Sequence, residues 1–230
     1  MNDSLHYTPA CSDQLAPAQQ LSPGYFIVFE GGDGAGKSTQ IRLLNQTLQG
    51  AGWQVTLSRE PGGTAIGEKL RQLVLDGTKT GLDGRAEALI FAASRAAHAQ
   101  EVIRPALAAG HIVLCDRYID SSLAYQGAGR GLGVDNVRQL NLWATQNLLP
   151  DLTILLDLPL ELGRARAGSR GQADRMEAES DQFHRVLGQT YRDLATQNPE
   201  RYALIDASAT IEQIHQQVKQ AVSKLIKEEQ

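Results

Sequence analysis

Hydrophobic positions along this chain fall into two alternating rhythms. Five short runs are rich in apolar and β-branched residues: Tyr25–Glu30, Trp53–Ser58, His111–Cys115, Leu152–Asp157 and Tyr202–Asp206. Around Val28, Val113 and Leu155 the apolar residues are successive, as in strands covered on both faces. Between these runs the pattern turns helical over Lys37–Gln49, Ile66–Leu75, Arg85–Ala109, Ser122–Asn147, Leu160–Ala167, Asp181–Gln197 and Ile211–Lys227. Strands separated by helices imply β-α-β crossovers. The pattern therefore predicts an α/β fold, a five-stranded parallel sheet with helices on both faces.

Composition narrows the class. A chain of 230 residues can bury a full core as one domain with a small appended lid. Residues 1–23 are rich in Pro, Ser, Gln and Ala and read as a disordered tail, leaving 24–230 as the domain. That tail has neither a basic start nor an apolar stretch, so it is not read as a secretory signal. No apolar run approaches the ~20 residues needed to cross a bilayer, so no membrane partner is expected. Of the two cysteines, Cys11 lies in the tail and Cys115 in an apolar run; two reduced thiols suit the cytoplasm. Net charge is −4, which argues against a polynucleotide partner and leaves room for a small anion held by a local basic cluster.

Such a cluster follows the first strand. Gly31-Gly32-Asp33-Gly34-Ala35-Gly36-Lys37-Ser38, with Thr39 next, matches G-x-x-x-x-G-K-[ST] between a strand and a helix. Glycines let the backbone wrap with its N–H groups inward, and the helix adds free N–H groups and the positive end of its dipole. Lys37 is placed to reach the β- and γ-phosphates of a bound nucleotide, and the Ser38 hydroxyl suits Mg²⁺. The motif alone leaves a GTPase switch, an ATPase motor and a phosphotransferase all open.

Ligands of open α/β sheets bind beyond the carboxyl ends of the strands. There this chain carries Arg59, after the second strand, and Asp116-Arg117, after the third. Two arginines at neighbouring strand ends look like a second phosphate site facing the loop. Asp116 is placed like a carboxylate that holds Mg²⁺ through water. The plain alternative, a strand cap with surface ion pairs, stays open at this point.

Taken in order, "EGGDGAGKST", "SREPGGT", "FAASRAAH", "DRYIDSSLAYQGAGRG" and "DRMEAES" resemble the thymidylate kinase family from about Tyr25 to the C-terminus. The resemblance implies a P-loop NTPase-type fold, ATP and dTMP as substrates, Mg²⁺, a place in dTTP synthesis and a homodimer. It also implies residue roles. Phe91 would stack on thymine and Arg95, four residues on and hence on the same helical face, would bond the base carbonyl. Ser122 would address the base, Tyr125 would pack where a 2′-hydroxyl would sit, and Gln126 shares their face. Arg59 and Arg117 would hold the dTMP phosphate. Asp33 would approach the sugar 3′-hydroxyl and the metal–water network.

Arg164, Arg166, Arg170 and Arg175 lie within a basic segment broken by "GSRGQ", a helical lid over about residues 160–178. Gly34-Ala35 supplies no arginine, so the resemblance assigns the charge over the moving phosphoryl group to the lid, at Arg170. The runner-up reading is another P-loop nucleoside monophosphate or deoxynucleoside kinase. Paired Arg59 and Arg117 favour a phosphorylated acceptor over a nucleoside. A non-catalytic ATP-binding module is the third reading, for which intact Lys37, Ser38, Asp116 and the lid arginines are an odd set to retain.

Overall fold

A computed structural model describes residues 24–75, 81–167 and 175–228. Five parallel strands, β1 (Phe26–Glu30), β2 (Val55–Arg59), β3 (Ile112–Asp116), β4 (Leu152–Asp157) and β5 (Tyr202–Asp206), form one sheet in the order β2-β3-β1-β4-β5. Every residue of β1 is buried. Its side chains alternate between two cores, as a strand's two-residue period requires. Ile27 and Phe29 pack with Leu44, Leu48, Val218 and Val222 from α1 (Lys37–Gly50) and α9 (Ile211–Glu228). Phe26 and Val28 pack on the other face with Leu123, Leu187, Tyr191 and Leu194. The last three belong to α8 (Asp181–Gln197).

The remaining helices are α2 (Ala65–Leu75), α3 (Gly84–His98), α4 (Arg104–Ala108), α5 (Ile119–Ser122), α6 (Val134–Thr145) and α7 (Leu160–Ala167). The sheet, β4, β5, α7 and α8 match the expected elements, and the other strand boundaries differ by one or two residues. Two long helices do not match. The segment expected as one helix over Arg85–Ala109 passes through a π-helical turn at Ala99–Ile103 before α4. Pro105 has no N–H for the carbonyl of Glu101, so the regular ladder cannot run through unchanged. The segment expected over Ser122–Asn147 is α5, a π-helical stretch Leu123–Gly129, a turn, and then α6. Gly131 and Gly133 sit at φ 70° and 87°, which ends one element and starts the next.

The chain moves to one side of β1 to make β2 and β3, then crosses to the other side for β4 and β5. That reversal opens a crevice beyond the carboxyl ends of the central strands. Register sets Asp116 beside Phe29 of β1 and beside Arg59 of β2, so the ends of three strands converge there.

Candidate active site

The turn after β1 is built by backbone conformation. Gly31, Gly34 and Gly36 have φ of 135°, 79° and 94°. A Cβ on Gly34 would run into the carbonyl of Gly163 in α7, so the loop and that helix touch backbone to backbone. Lys37 opens α1 and is buried; its Nζ donates to the carbonyls of Gly31 and Gly32, both at 3.0 Å. Burial lowers its pKa, and the Arg117 charge adds to this. Ser38, exposed beside it, donates from Oγ to Asp116 Oδ2 at 3.1 Å.

Arg117 takes φ of 69°, a conformation that costs a non-glycine residue about 1–3 kcal/mol. Glu30 holds the turn in place. Its carboxylate accepts from Tyr118 N at 2.8 Å, Ser121 N at 3.1 Å, Ser121 Oγ at 2.7 Å and Tyr191 Oη at 3.1 Å. Burial, reinforced by the Asp120 carboxylate, pushes Glu30 up to about 7 against the pull of Arg117. Arg117 itself donates to Asp33 Oδ1 at 2.6 Å and lies over the Tyr125 ring at 5.4 Å. Burial alone would raise Asp33, yet Arg117 and Lys37 outweigh it and its pKa falls. The Tyr125 hydroxyl reaches Asp33 Oδ2 at 3.5 Å. Arg59 is more exposed and donates to both oxygens of Glu68, at 3.0 and 3.2 Å.

Facing these groups is one side of α3. Phe91 is half-buried, and Arg95 is only 2% exposed. The Arg95 guanidinium donates to Glu60 Oε2 at 2.6 Å, Ser122 Oγ at 2.9 Å, the Tyr118 carbonyl at 2.9 Å and Asn141 Oδ1. Gln126 donates to Glu87 at 2.8 Å. Glu87, fully buried, also accepts from Arg130 at 3.3 Å and Arg175 at 2.6 Å. Those donors outweigh burial and hold its pKa below the ordinary value.

One cavity of about 510 Å³ is lined by Asp33, Arg59, Phe91, Arg95, Arg117, Ser122, Tyr125 and Gln126, together with Gly34, Gly36, Lys37, Ser38 and Asp116. Its volume falls in the range of small-molecule sites, about 300–1,000 Å³. Gly31 and Gly32 line a second cavity of about 1020 Å³ between the end of β4, α7 and α8, and Asp33 borders both. Ala35 is buried and Thr39 half-buried on α1; neither lines these two cavities.

Of the expected lid, residues 168–174, Arg170 among them, lie outside the described residues. Arg164 is half-exposed and pairs with Asp181 at 2.5 Å. Arg166 donates to the Ala207 carbonyl at 2.8 Å, and Arg175 bonds Glu87.

The sequence motifs assign no role to Glu30, Glu60, Glu87, His98 or Asn141. For His98 a signal existed, since it falls three residues after Arg95 and seven after Phe91 on the same helical face. Asn141 carried none, because its approach to Arg95 depends on how α6 folds back.

Comparison with known proteins bears on the same residues. A family profile described as thymidylate kinase matches residues 29–218. The chain is 49% identical over 209 residues to the thymidylate kinase of Desulfovibrio desulfuricans, covering 88% of this chain and 96% of that one. It is 52% identical over 198 residues to that of Leifsonia xyli, covering 86% and 93%. A crystal structure of thymidylate kinase from Ehrlichia chaffeensis superposes with a TM-score of 0.70 at 35% identity, covering 87% of this chain and 99% of that one. With its P-loop, opposed arginines and α3 face inside the matched region, this chain belongs to the thymidylate kinase family.

Proposed function

We infer that the protein is a working thymidylate kinase: it transfers the terminal phosphoryl group of ATP to dTMP, giving dTDP for dTTP synthesis. Family membership supports the reaction, and one observation supports the residue roles. The eight side chains expected around dTMP line a single cavity with the phosphate loop at one end.

In this reading the dTMP phosphate lies between Arg59 and Arg117, on the side of the cavity that faces Lys37 and Ser38. The base reaches α3, where Phe91 offers a ring face and Arg95 a donor to a ring carbonyl. Ser122 and Gln126 border the base. Tyr125 and Asp33 lie against the sugar, where the ionised Asp33 accepts from a 3′-hydroxyl and Tyr125 leaves no space for a 2′-hydroxyl. Lys37 exchanges its two carbonyl partners for the β- and γ-phosphates, with Gly31 to Thr39 enclosing them. Phosphoryl transfer asks mainly for alignment and charge. Arg59 and Arg117 hold the acceptor oxygen in line, and Lys37 and the sequence-assigned Arg170 meet charge on the moving group.

Ser38 and Asp116 fit Mg²⁺: a hydroxyl and a carboxylate are hard oxygen donors, adjacent, and few enough for an ion that keeps several waters. Bound there, the ion would neutralise charge on the phosphates of ATP. Among the described residues no group of three or more His, Cys, Asp or Glu could hold a metal unaided, consistent with a site completed by substrate.

Two coarser findings extend in the same direction. No helix among the described residues is long and apolar enough to cross a membrane, and Cys115 is a buried free thiol, which supports a cytoplasmic enzyme. Ile66 and Leu73 on α2, Leu89 on α3 and Trp143 on α6 are exposed on neighbouring helices, which supports a homodimer through that side.

The test is ADP release measured with dTMP, dUMP, dCMP, AMP and thymidine as acceptors. The expected result is the highest kcat/KM with dTMP and none above background with thymidine. Preference for AMP or dCMP would replace the acceptor, and preference for thymidine would remove the phosphate site.

A further inference from the structure

Ser58 and Arg59 close β2 and Glu60 follows, and the two residues flanking Arg59 reach one imidazole. His98 Nδ1 lies 2.8 Å from Glu60 Oε1, and His98 Nε2 lies 2.5 Å from Ser58 Oγ. The other Glu60 oxygen accepts from Arg95 Nε at 2.6 Å. A chain of four side chains, Ser58–His98–Glu60–Arg95, thus runs up to the cavity, which Glu60 and Arg95 line. Glu60, Arg95 and His98 are 4%, 2% and 0% exposed. A carboxylate only accepts, so Nδ1 carries the proton toward Glu60 and the ring is held at both nitrogens.

The turn after Glu60 closes over the same ring. Gly62 N donates to Ser94 Oγ at 3.3 Å, from the helical turn between Phe91 and His98. Gly63, at φ 79°, lies so close that a Cβ there would meet the His98 ring at 2.8 Å. Arg59 itself points the other way, to Glu68 and the cavity. One imidazole therefore fixes the strand end that presents Arg59 and, through Glu60, the direction of the Arg95 guanidinium. Of the five N–H groups on Arg95, four are met by Glu60, Ser122, Asn141 and the Tyr118 carbonyl. The remaining Nη2 hydrogen is the one available to a base, and where it points depends on the four that are held.

We propose that His98 is a positioning residue for the acceptor nucleotide, setting both Arg95 at the base end and the Arg59 corner at the phosphate end. This rests on the reading that Arg95 serves the base and Arg59 the phosphate. With ATP placed on the phosphate loop in that reading, neither arm belongs to its site, so the effect is expected on dTMP alone. A histidine that merely filled the core would, when truncated, lower stability without separating the two substrates.

The experiment compares full-length wild type with His98→Ala, His98→Asn, Ser58→Ala and Arg95→Ala, recording kcat, both KM values and Tm. Loss of a hydrogen bond to a charged partner predicts that His98→Ala raises the KM for dTMP by roughly tenfold or more, with the KM for ATP within about twofold. His98→Asn, whose amide N–H can stand where Nδ1–H does, restores most of that loss. A dTMP KM within about twofold of wild type in His98→Ala, or an equal rise for both substrates, overturns the proposal. So does failure of His98→Asn to recover any dTMP affinity at a wild-type Tm. Should His98→Ala not fold, Ser58→Ala decides: a rise in the dTMP KM alone supports the tie, and no rise overturns it. Arg95→Ala separates the two layers. If it leaves the dTMP KM unchanged, the base assignment itself is wrong; if it raises that KM while His98→Ala does not, only the positioning role fails.

Discussion

Lys37 illustrates how a side chain can be held for a ligand. Its ammonium is buried against two loop carbonyls that phosphate oxygens would replace. Lys37→Ala should therefore lower kcat/KM by two to four decades, roughly 3–5 kcal/mol, and wild-type turnover in that variant would remove it from the reaction. Arg170 stands on its motif alone. Arg164, Arg166 and Arg175 each have a protein partner. Arg170→Ala should lower kcat by about two to three decades with both KM values nearly unchanged, because a charge used only during transfer acts on the transition state. An unchanged single-turnover rate would assign that charge elsewhere. Glu30 has a pH consequence. Its ordinary value is 4.5 and its folded value about 7, so between these the folded protein holds a proton the unfolded chain has lost. Stability should fall as pH rises through that window and level off above it. Urea midpoints from pH 4.5 to 8, with Glu30→Gln as reference, should show the wild type losing ground up to about pH 7; parallel curves would contradict this. Motif residues such as Lys37, Asp116 and Arg117 were legible in the sequence because their chemistry fixes their spacing. In the sequence Glu30 is only the end of an apolar strand. Its four donors come from Tyr118, Ser121 and Tyr191, 88 to 161 positions away.

Strands and isolated amphipathic helices were legible because burial imposes their period. β4, β5, α7 and α8 agree with the pattern to the residue. The two long helical predictions failed where periodicity carries no information. A π-helical turn shifts the face without breaking the apolar pattern, and the turn at Gly131 and Gly133 sits inside a segment whose flanks both read as helix. The second break matters for the site. It lets α6 return across α5 and bring Asn141 to Arg95. Contact between the loop and α7 gives a further test. Gly34→Ala forces a side chain to φ 79° and against the Gly163 carbonyl, and should destabilise by about 1–3 kcal/mol, lowering Tm by several degrees. Gly32→Ala, where a Cβ meets nothing within 4 Å, should leave Tm close to wild type. Equal Tm values for the two would mean that the loop rests on α7 less tightly than the backbone contact implies.

The fold brings together residues spread over a hundred positions because β1 lies between the two halves of the sheet, and the ends of β1, β2 and β3 share one edge. On the far side of α3, exposed Leu89 and, on α6, Trp143 at 82% exposure suit a second copy of the chain. Sedimentation should give a dimer for the wild type and a monomer for Leu89→Lys with Trp143→Lys; a monomeric wild type would contradict that pairing. What matters most for the active site is the orientation proposed for dTMP in the cavity, with its base against Phe91 and Arg95 and its phosphate between Arg59 and Arg117. A crystal structure of the full-length protein with dTMP decides this. The expected result is a thymine ring stacked on Phe91 with a ring carbonyl about 3 Å from an Arg95 nitrogen, and the phosphate on Arg117. A base lodged in the second cavity, or a phosphate bound at α3, would contradict it.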